Sequence, residues 1–120
     1  MPYNIPRSFK FNSEYRLLRV DGFENVLHSS NVADRVFKIF FVRNNKGNAR
    51  LGIISSKKIL PRAIDRNRLK RQIRETFRKH SIKACNVDVV VMPRPAYTNE
   101  KTTSNEGLAY QLHQVENRCA

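Results

Sequence analysis

The chain has few of the residues that build disulfide frameworks, metal centres or membrane spans. Its 120 residues include two cysteines, three histidines, four glycines and no tryptophan. Cys85 and Cys119 lie far apart and form no CxxC pair, which predicts reduced thiols and no metal site. No apolar run approaches the roughly 20 residues that a membrane-spanning helix needs, so we expect no membrane partner.

The first twelve residues, MPYNIPRSFKFN, lack the apolar segment of a secretory signal. Together with the reduced thiols, this predicts a cytoplasmic protein. The length suits one domain over residues 1–120. Residues 1–12 predict an extended arm, and residues 98–120 predict a C-terminal loop and helix.

Acidic residues are also scarce. Ten aspartates and glutamates stand against 23 lysines and arginines, so the formal net charge is +13 and the isoelectric point is near 10.5. Such an excess of positive charge favours nucleic acid or an anionic membrane surface as the partner. A hydrophobic content of 40% permits a modest core, so the chain is not merely a disordered basic tail.

The sequence offers no catalytic constellation of its own. His28, His80 and His113 are scattered, and each is predicted to be a solvated surface histidine. The acids do not cluster as a metal site requires, and no glycine-rich phosphate loop is present. We therefore predict no catalytic residue and no metal ligand in the protein.

The segment PRAIDRNRLKRQIRETFRKH, residues 61–80, carries the strongest pattern in the chain. From Arg62 to Lys79 there are eight lysines and arginines against two acids. One apolar row repeats every four residues: Leu69, Ile73 and Phe77. A cationic row repeats beside it: Arg66, Lys70, Arg74 and Arg78. These spacings predict a helix that docks on a core by one side and presents a cationic ridge containing Asn67 on the other.

The remaining elements predict a small α+β sandwich. A short helix is expected near 23–28, strands at 36–42, 50–55 and 88–92, and a last helix over 104–117. The turn cluster NNKGN, at 44–48, favours a hairpin between the first two strands, and Ser29–Asp34 is interpreted as a polar connection. The order is then α-β-β-α-β-α, with the helices packed on one sheet.

From these patterns alone, several interpretations stay open. The basic helix is either a phosphate-binding surface or a solvated charged face. Phe37, Ile39 and Phe41 alternate with a second set that includes Phe40, and that second set is either covered by helices or exposed for base stacking. Phe23 is either a core residue or part of such a cleft.

The segment RNRLKRQIRETFR, residues 66–78, closely resembles the RNR signature of the bacterial ribonuclease P protein component. The resemblance extends in register to RLGIISSKK at 50–58 and to DVVVMPRP at 88–95. It also covers Arg16-Leu17 with Phe23 and Val26, and so spans roughly residues 5–97. The tail beyond Tyr97 shows no specific match.

This resemblance implies a fold and a function. The fold would be the ribosomal-protein-S5-domain-2-like two-layer sandwich, with a left-handed β-α-β crossover made by the RNR helix. The protein would bind a catalytic RNA and the 5′ leader of precursor tRNA, and so promote endonucleolytic removal of the leader. The RNA and its Mg²⁺ would carry the chemistry, and the protein alone would bind no cofactor and need no obligate protein partner.

The resemblance also implies two groups of site residues. The group for the catalytic RNA comprises Lys57, Lys58, Arg62, Arg66, Asn67, Arg68, Lys70, Arg71, Arg74 and Arg78. The group for the leader cleft comprises Phe9, Arg16, Phe23, Phe40 and Arg50. At Leu27 the sequence departs from family members that carry a second phenylalanine there.

Two alternatives to this function are kept. The chain could be a basic RNA- or DNA-binding module with no role in cleavage. It could also be a protein-only nuclease, which the missing acid or histidine cluster disfavours.

Overall fold

A computed structural model of the chain describes residues 15–17, 22–98 and 105–119. The helices and strands, in chain order, are α1 (Phe23–Leu27), β1 (Ser30–Ala33), β2 (Phe37–Arg43), β3 (Arg50–Ile53), α2 (Ala63–Arg78), β4 (Val87–Pro93) and α3 (Asn105–Cys119). Short 3₁₀ helices at Ser81–Ala84 and Pro95–Thr98 flank β4. Across these ranges no helix is both long and apolar enough to cross a bilayer.

The four strands form one sheet in the order β1-β2-β4-β3. The β1–β2 and β2–β4 pairs are antiparallel, and the β3–β4 pair is parallel. Because parallel neighbours need a crossover connection, the chain from β3 to β4 passes through α2. The α+β class is confirmed, whereas the left-handedness of this crossover stays a prediction.

Side-chain alternation along β2 divides the core between the two faces of the sheet. Phe37, Ile39 and Phe41 point to the larger core, which α2 and α3 cover. Phe40 and Val42 point to the opposite face, where α1 and a smaller cluster lie. The smaller cluster is built on Leu17, Phe23, Val26 and Val90. The sheet and the α2–α3 pair thus form the two main layers, and α1 sits on the other side.

The apolar stripe predicted for α2 is confirmed. Leu69, Ile73 and Phe77 are completely buried in the larger core. Thr76 lies on the same side, and its hydroxyl donates to the carbonyl of Gln72 at 2.9 Å. The docked side of α2 is therefore fixed by hydrophobic burial, and its other side is left to face outward.

The predicted hairpin between β2 and β3 was wrong, because β4 lies between them. From Val87 to Val91 every residue of β4 is buried. A strand that is covered on both faces belongs in the middle of a sheet, so β4 takes the position between its two neighbours. The nearly continuous apolar run VDVVV was the signal for this arrangement.

The strand β1 was missed. Its residues, SNVA, have one buried side chain, Val32, and were interpreted as part of a polar connection. They pair with β2 because β2 would otherwise leave an unpaired backbone edge, and the register places Val32 opposite Ile39. The last helix, in contrast, was predicted within two residues of its bounds.

Candidate nucleic-acid interface

The outward side of α2 forms a cationic surface that we call the basic ridge, built from Asn67, Arg68, Lys70, Arg71 and Arg74. Lys70 is half-buried, and the other four side chains are exposed. Within the described ranges, none of the four cations forms a hydrogen bond or an ion pair. Their charge is therefore available to an external anion, and arginine guanidinium groups are well shaped for phosphate.

Three further predicted RNA-binding residues of this helix already have partners inside the protein. Arg66 donates through Nη1 to the carbonyls of Leu60 and Pro61, both at 2.9 Å. Arg78 pairs with Glu75 at 2.6 Å, and this hydrogen bond is the main reason why the pKa of Glu75 is lowered. Arg62 lies 3.8 Å from Asp65.

The cations at the two ends of α2 thus differ from those in its middle, because they have partners inside the protein. Arg66 ties the first turn to the preceding loop, and Arg78 is held at the last turn. The cations of α2 that have no partner among the described residues lie between them.

Lys57 and Lys58 are exposed on the segment between β3 and α2. This segment turns back on itself, since the N–H of Leu60 donates to the carbonyl of Ser56 at 2.8 Å. It begins at Ile54, whose N–H extends the sheet by donating to Val91. The two lysines therefore lie on the path from the sheet to the basic ridge.

The predicted leader-binding residues that the structure describes lie on or beside the face of the sheet that α1 partly covers, which we call the cleft face. It consists of Phe23, Lys38, Phe40, Val42 and Ile54. Gly52 lies beneath the Phe23 ring, and a Cβ atom there would come within 2.5 Å of that ring. Position 52 therefore needs glycine so that Phe23 can approach the sheet.

Phe23 and Phe40 differ in exposure. Phe23 is only 7% exposed, so it serves as a core residue of the cleft face, and its direct stacking on RNA stays a prediction. Phe40 is partly exposed, and the Nζ atom of Lys38 lies 5.0 Å from the centre of its ring. Phe40 is therefore the aromatic side chain that this face offers to a ligand.

Arg50, predicted for the leader cleft, has a partner within the fold. Its Nε and Nη2 atoms donate to the two carboxylate oxygens of Asp88, at 2.8 and 2.7 Å. Asn44 donates to the same carboxylate at 2.6 Å. The Arg50 side chain is 12% exposed, so its first role is to neutralise the buried Asp88.

The other two cleft predictions are at the N-terminal side of the chain. Arg16 is exposed and forms an isolated parallel bridge with Leu51, which places it beside the edge of β3 that faces away from β4. Phe9 lies outside the described residues, as does the whole predicted arm at 1–12.

Sequence reasoning missed Lys38 and the Asp88–Asn44 pair. The signal for Lys38 was its spacing of two residues from Phe40, which places both side chains on one face of β2. The signal for Asp88 was a charged residue inside an otherwise apolar strand, which requires a buried partner. The sequence does not say which of many arginines supplies it.

The prediction that His80 is solvated was wrong, whereas His28 and His113 are exposed. The Nδ1 atom of His80 accepts from the N–H of Ile82 at 3.0 Å, and Nε2 lies 3.2 Å from the carbonyl of Ala109. Burial lowers the pKa of His80, so its neutral form is favoured and Nε2 carries the hydrogen. This ring joins the end of α2 to α3.

Both cysteines are free thiols, and burial is the main cause that raises the pKa of each. Sγ of Cys85 lies 3.8 Å from a carboxylate oxygen of Glu116, which raises its pKa further. In the part of the chain that the structure covers, no three His, Cys, Asp or Glu residues are grouped as a metal site would need.

The basic ridge, the cleft face and the lysine-bearing connection between them thus surround one four-stranded sheet. A family model described as Ribonuclease P matches residues 11–119. The chain belongs to the ribonuclease P protein family. The RNR-helix resemblance in the sequence is thereby confirmed at the level of the family.

Relatives in this family align over most of the chain. The ribonuclease P protein component of Legionella pneumophila (strain Corby) is 36% identical over 113 residues, which cover 93% of this chain and 95% of the relative. The protein component from Thioalkalivibrio sulfidiphilus is 44% identical over 89 residues, 73% of this chain and 74% of the relative.

Solved ribonuclease P proteins have the same fold. The protein from Thermotoga maritima superposes with a TM-score of 0.70 at 26% identity, covering 88% of this chain and 97% of that one. A Staphylococcus aureus ribonuclease P protein mutant, described as defective in mRNA degradation activity, gives a TM-score of 0.65 at 32% identity over 84% of each chain. The predicted family fold is confirmed by these two structures.

Proposed function

We propose that this chain binds the catalytic RNA of ribonuclease P through its basic ridge and the 5′ leader of precursor tRNA through its cleft face. The two together would promote removal of the leader to give the mature 5′ end. One observation carries the proposal: Arg71 and Arg74 on the exposed side of α2, with Arg68 and the half-buried Lys70 on its two flanks, have no ion-pair partner in the described ranges.

The charge of the ridge suits a partner with a dense row of phosphates. Cations of like sign on one helix repel one another unless a polyanion neutralises them. Lys57 and Lys58 extend the same charge towards the sheet, and the whole chain carries +13. Binding to RNA would release condensed counterions, and this makes the interaction strongly dependent on salt.

The cleft face suits an unpaired strand better than a duplex. Phe40 offers a partly exposed ring for base stacking, and Lys38 beside it offers a cation for the adjoining phosphate. Mature tRNA lacks the leader, so contacts here would favour the substrate over the product.

In this proposal the protein itself supplies no hydrolytic group. Hydrolysis belongs to the partner RNA and to Mg²⁺ that the RNA holds. The protein positions the two RNAs and reduces the repulsion between their phosphates. It needs no obligate protein partner or membrane, and it acts in the cytoplasm, where precursor tRNA is made in bacteria.

The decisive experiment is cleavage of precursor tRNA at low Mg²⁺ by a bacterial ribonuclease P RNA, with and without this chain. We expect the chain to stimulate cutting at the mature 5′ end and to cut nothing by itself. RNA binding without stimulation would support the alternative of a basic binding module. Cleavage by the purified chain with no RNA present would support a protein-only nuclease.

A further inference from the structure

A small pocket lies beside the first two turns of α2, on the flank that faces the 3₁₀ helix Pro95–Thr98. Its volume is about 270 Å³. The residues that line it are Ile59, Leu60, Pro61, Arg62, Asp65, Arg68 and Tyr97. Arg68 is the one lining residue that also belongs to the basic ridge, and none of the lining residues belongs to the cleft face.

The wall made by Tyr97 is fixed in place. Its hydroxyl donates to Oε1 of Gln72 at 3.0 Å, and its ring packs against Phe37 with a centroid distance of 5.6 Å. Leu60, on another side, is also buried. The pocket is therefore preformed by residues that belong to the core.

Asp65 brings an acceptor to this apolar space. Its nearest described partner is Nε of Arg62 at 3.8 Å, which is too long for a hydrogen bond. Both carboxylate oxygens therefore keep their capacity to accept hydrogen bonds. An ion pair with the mostly exposed Arg62 contributes little to stability, so this aspartate can exchange it for a ligand.

Arg68 lines this pocket and also belongs to the basic ridge. Asp65 and Arg68 are three residues apart, so they lie side by side on the helix surface. Arg68 has no hydrogen-bonding or ion-pair partner among the residues that the structure describes. Its planar guanidinium can stack on an aromatic ring while its charge neutralises a phosphate.

A volume of about 270 Å³ lies just below the range of about 300–1,000 Å³ that is usual for drug-sized ligands. It suits one flat ring system. An apolar floor, a stacking arginine and a carboxylate are together the features by which proteins hold an unpaired base.

We propose that this pocket receives one unpaired guanine base of the RNA that binds the basic ridge. The proposal rests on the proposed function and adds a base-specific contact to it. Guanine is the base whose Watson–Crick edge presents two adjacent donors, N1–H and the N2 amino group. These donors match the two carboxylate oxygens of Asp65. Adenine and cytosine present a donor beside an acceptor, and uracil presents one donor between two acceptors.

An adjoining pocket provides room for the rest of the nucleotide. It is lined by Ser56, Lys58, Ile59 and Pro95, and its volume is about 480 Å³. Ile59 is common to the two pockets, so they lie next to each other. Lys58 can there bind the phosphate of a nucleotide whose base occupies the first pocket.

The first test titrates the full chain with guanosine 5′-monophosphate and follows the backbone NMR signals of Leu60, Arg68 and Tyr97. Inosine 5′-monophosphate is the matched control, since it lacks only the 2-amino group. We expect guanosine monophosphate to bind about 10-fold more tightly than the inosine, adenosine, cytidine and uridine monophosphates. This comparison uses the unaltered chain, so no variant has to fold.

Asp65→Asn then tests the recognition itself. We expect it to remove the preference for guanosine monophosphate over inosine monophosphate. Glu75→Gln is the matched variant, because it removes the other acid of α2, which lies outside the pocket, and should keep the preference. Equal binding of all five nucleotides, or signals in the pocket that do not move, would overturn the proposal.

The cleavage assay separates this proposal from the proposed function. If the chain stimulates cleavage of precursor tRNA but shows no preference for guanine, the pocket proposal fails and the function stands. If it prefers guanine in an Asp65-dependent manner but does not stimulate cleavage, the function fails and the base site stands. In the complex with ribonuclease P RNA, we expect one guanine N1 to be protected from carbodiimide, and Asp65→Asn to expose it.

Discussion

The basic ridge and the cleft face use charged side chains in opposite ways. On the ridge, Arg71 and Arg74 are exposed and have no partner in the described fold. On the cleft side of the sheet, Arg50 forms an ion pair with the buried Asp88, and Phe23 packs onto Gly52. Ridge residues can thus be changed without harm to the fold, whereas several cleft residues are also structural.

This difference decides how mutations must be interpreted. Loss of RNA binding in a ridge variant reports on the interface. Loss in a cleft variant reports on the interface only after the stability of the fold has been measured.

The largest effect is expected for Phe23→Ala. Removal of this buried ring should lower the free energy of unfolding by about 3–5 kcal/mol, measured by urea denaturation. It should also weaken precursor tRNA binding more than mature tRNA binding. Phe23→Leu is the matched control, since it keeps most of the packing but removes the aromatic ring. Equal losses for both tRNAs would mean that Phe23 acts only in the core.

Arg50→Ala should have the next largest effect. It leaves the Asp88 carboxylate buried with Asn44 as its remaining described partner, so we expect a loss of about 3 kcal/mol in unfolding free energy. Adding Asp88→Asn to the same chain should recover part of that loss, as a double-mutant cycle would show. A chain that lost affinity for the leader at unchanged stability would instead make Arg50 a direct RNA contact.

Arg71→Ala and Arg74→Ala should each weaken assembly with ribonuclease P RNA by about 1–2 kcal/mol. Each should also reduce the slope of log affinity against log salt by about one unit. Unfolding free energy should stay within about 0.5 kcal/mol of the original, because both side chains are exposed. The control is Lys46→Ala, which removes an exposed cation in the turn after β2. An unchanged slope would remove that arginine from the phosphate contacts.

The smallest effect is a pH dependence of stability from His80. Its pKa in the folded chain lies below the ordinary value of 6.5, so the unfolded chain takes up a proton first. His80 should therefore contribute its full stabilisation above about pH 6.5, and this contribution should fall as the pH drops towards the folded-state pKa. His80→Asn keeps a side-chain acceptor for Ile82 and should flatten that dependence in urea titrations at pH 7 and pH 5. If the free energy of unfolding changed equally between pH 7 and pH 5 in both chains, His80 would be excluded as the source of the pH dependence.

Sequence periodicity predicted α2 well because burial and charge repeat with the same helical period. The stripe of Leu69, Ile73 and Phe77 and the ridge beside it required no knowledge of the rest of the chain. The strand order was not predictable in the same way. A turn at 44–48 is compatible with a hairpin and equally with two strands that admit a third between them.

The candidate site likewise has some features that the sequence predicted and others that it did not. The sequence identified the exposed cations of α2, and the family resemblance assigned them to RNA. Which aromatic side chain faces outward was decided by packing, because α1 and Gly52 bury Phe23 and leave Phe40 partly open. The pocket at Asp65 was also not predictable, since Tyr97, which is distant in the sequence from Ile59 and α2, supplies one of its walls.

The sequence by itself determined the basic helix and its docked side, because local repeats of charge and apolarity are sufficient for both. The family was identified by the resemblance of the sequence motifs to known members. The tertiary structure decided the partners. It joined Arg50 to Asp88, placed Tyr97 beside Arg68, and positioned His80 between α2 and α3. Such contacts depend on which segments meet in the folded chain, and a central, doubly covered β4 is what brings those segments together.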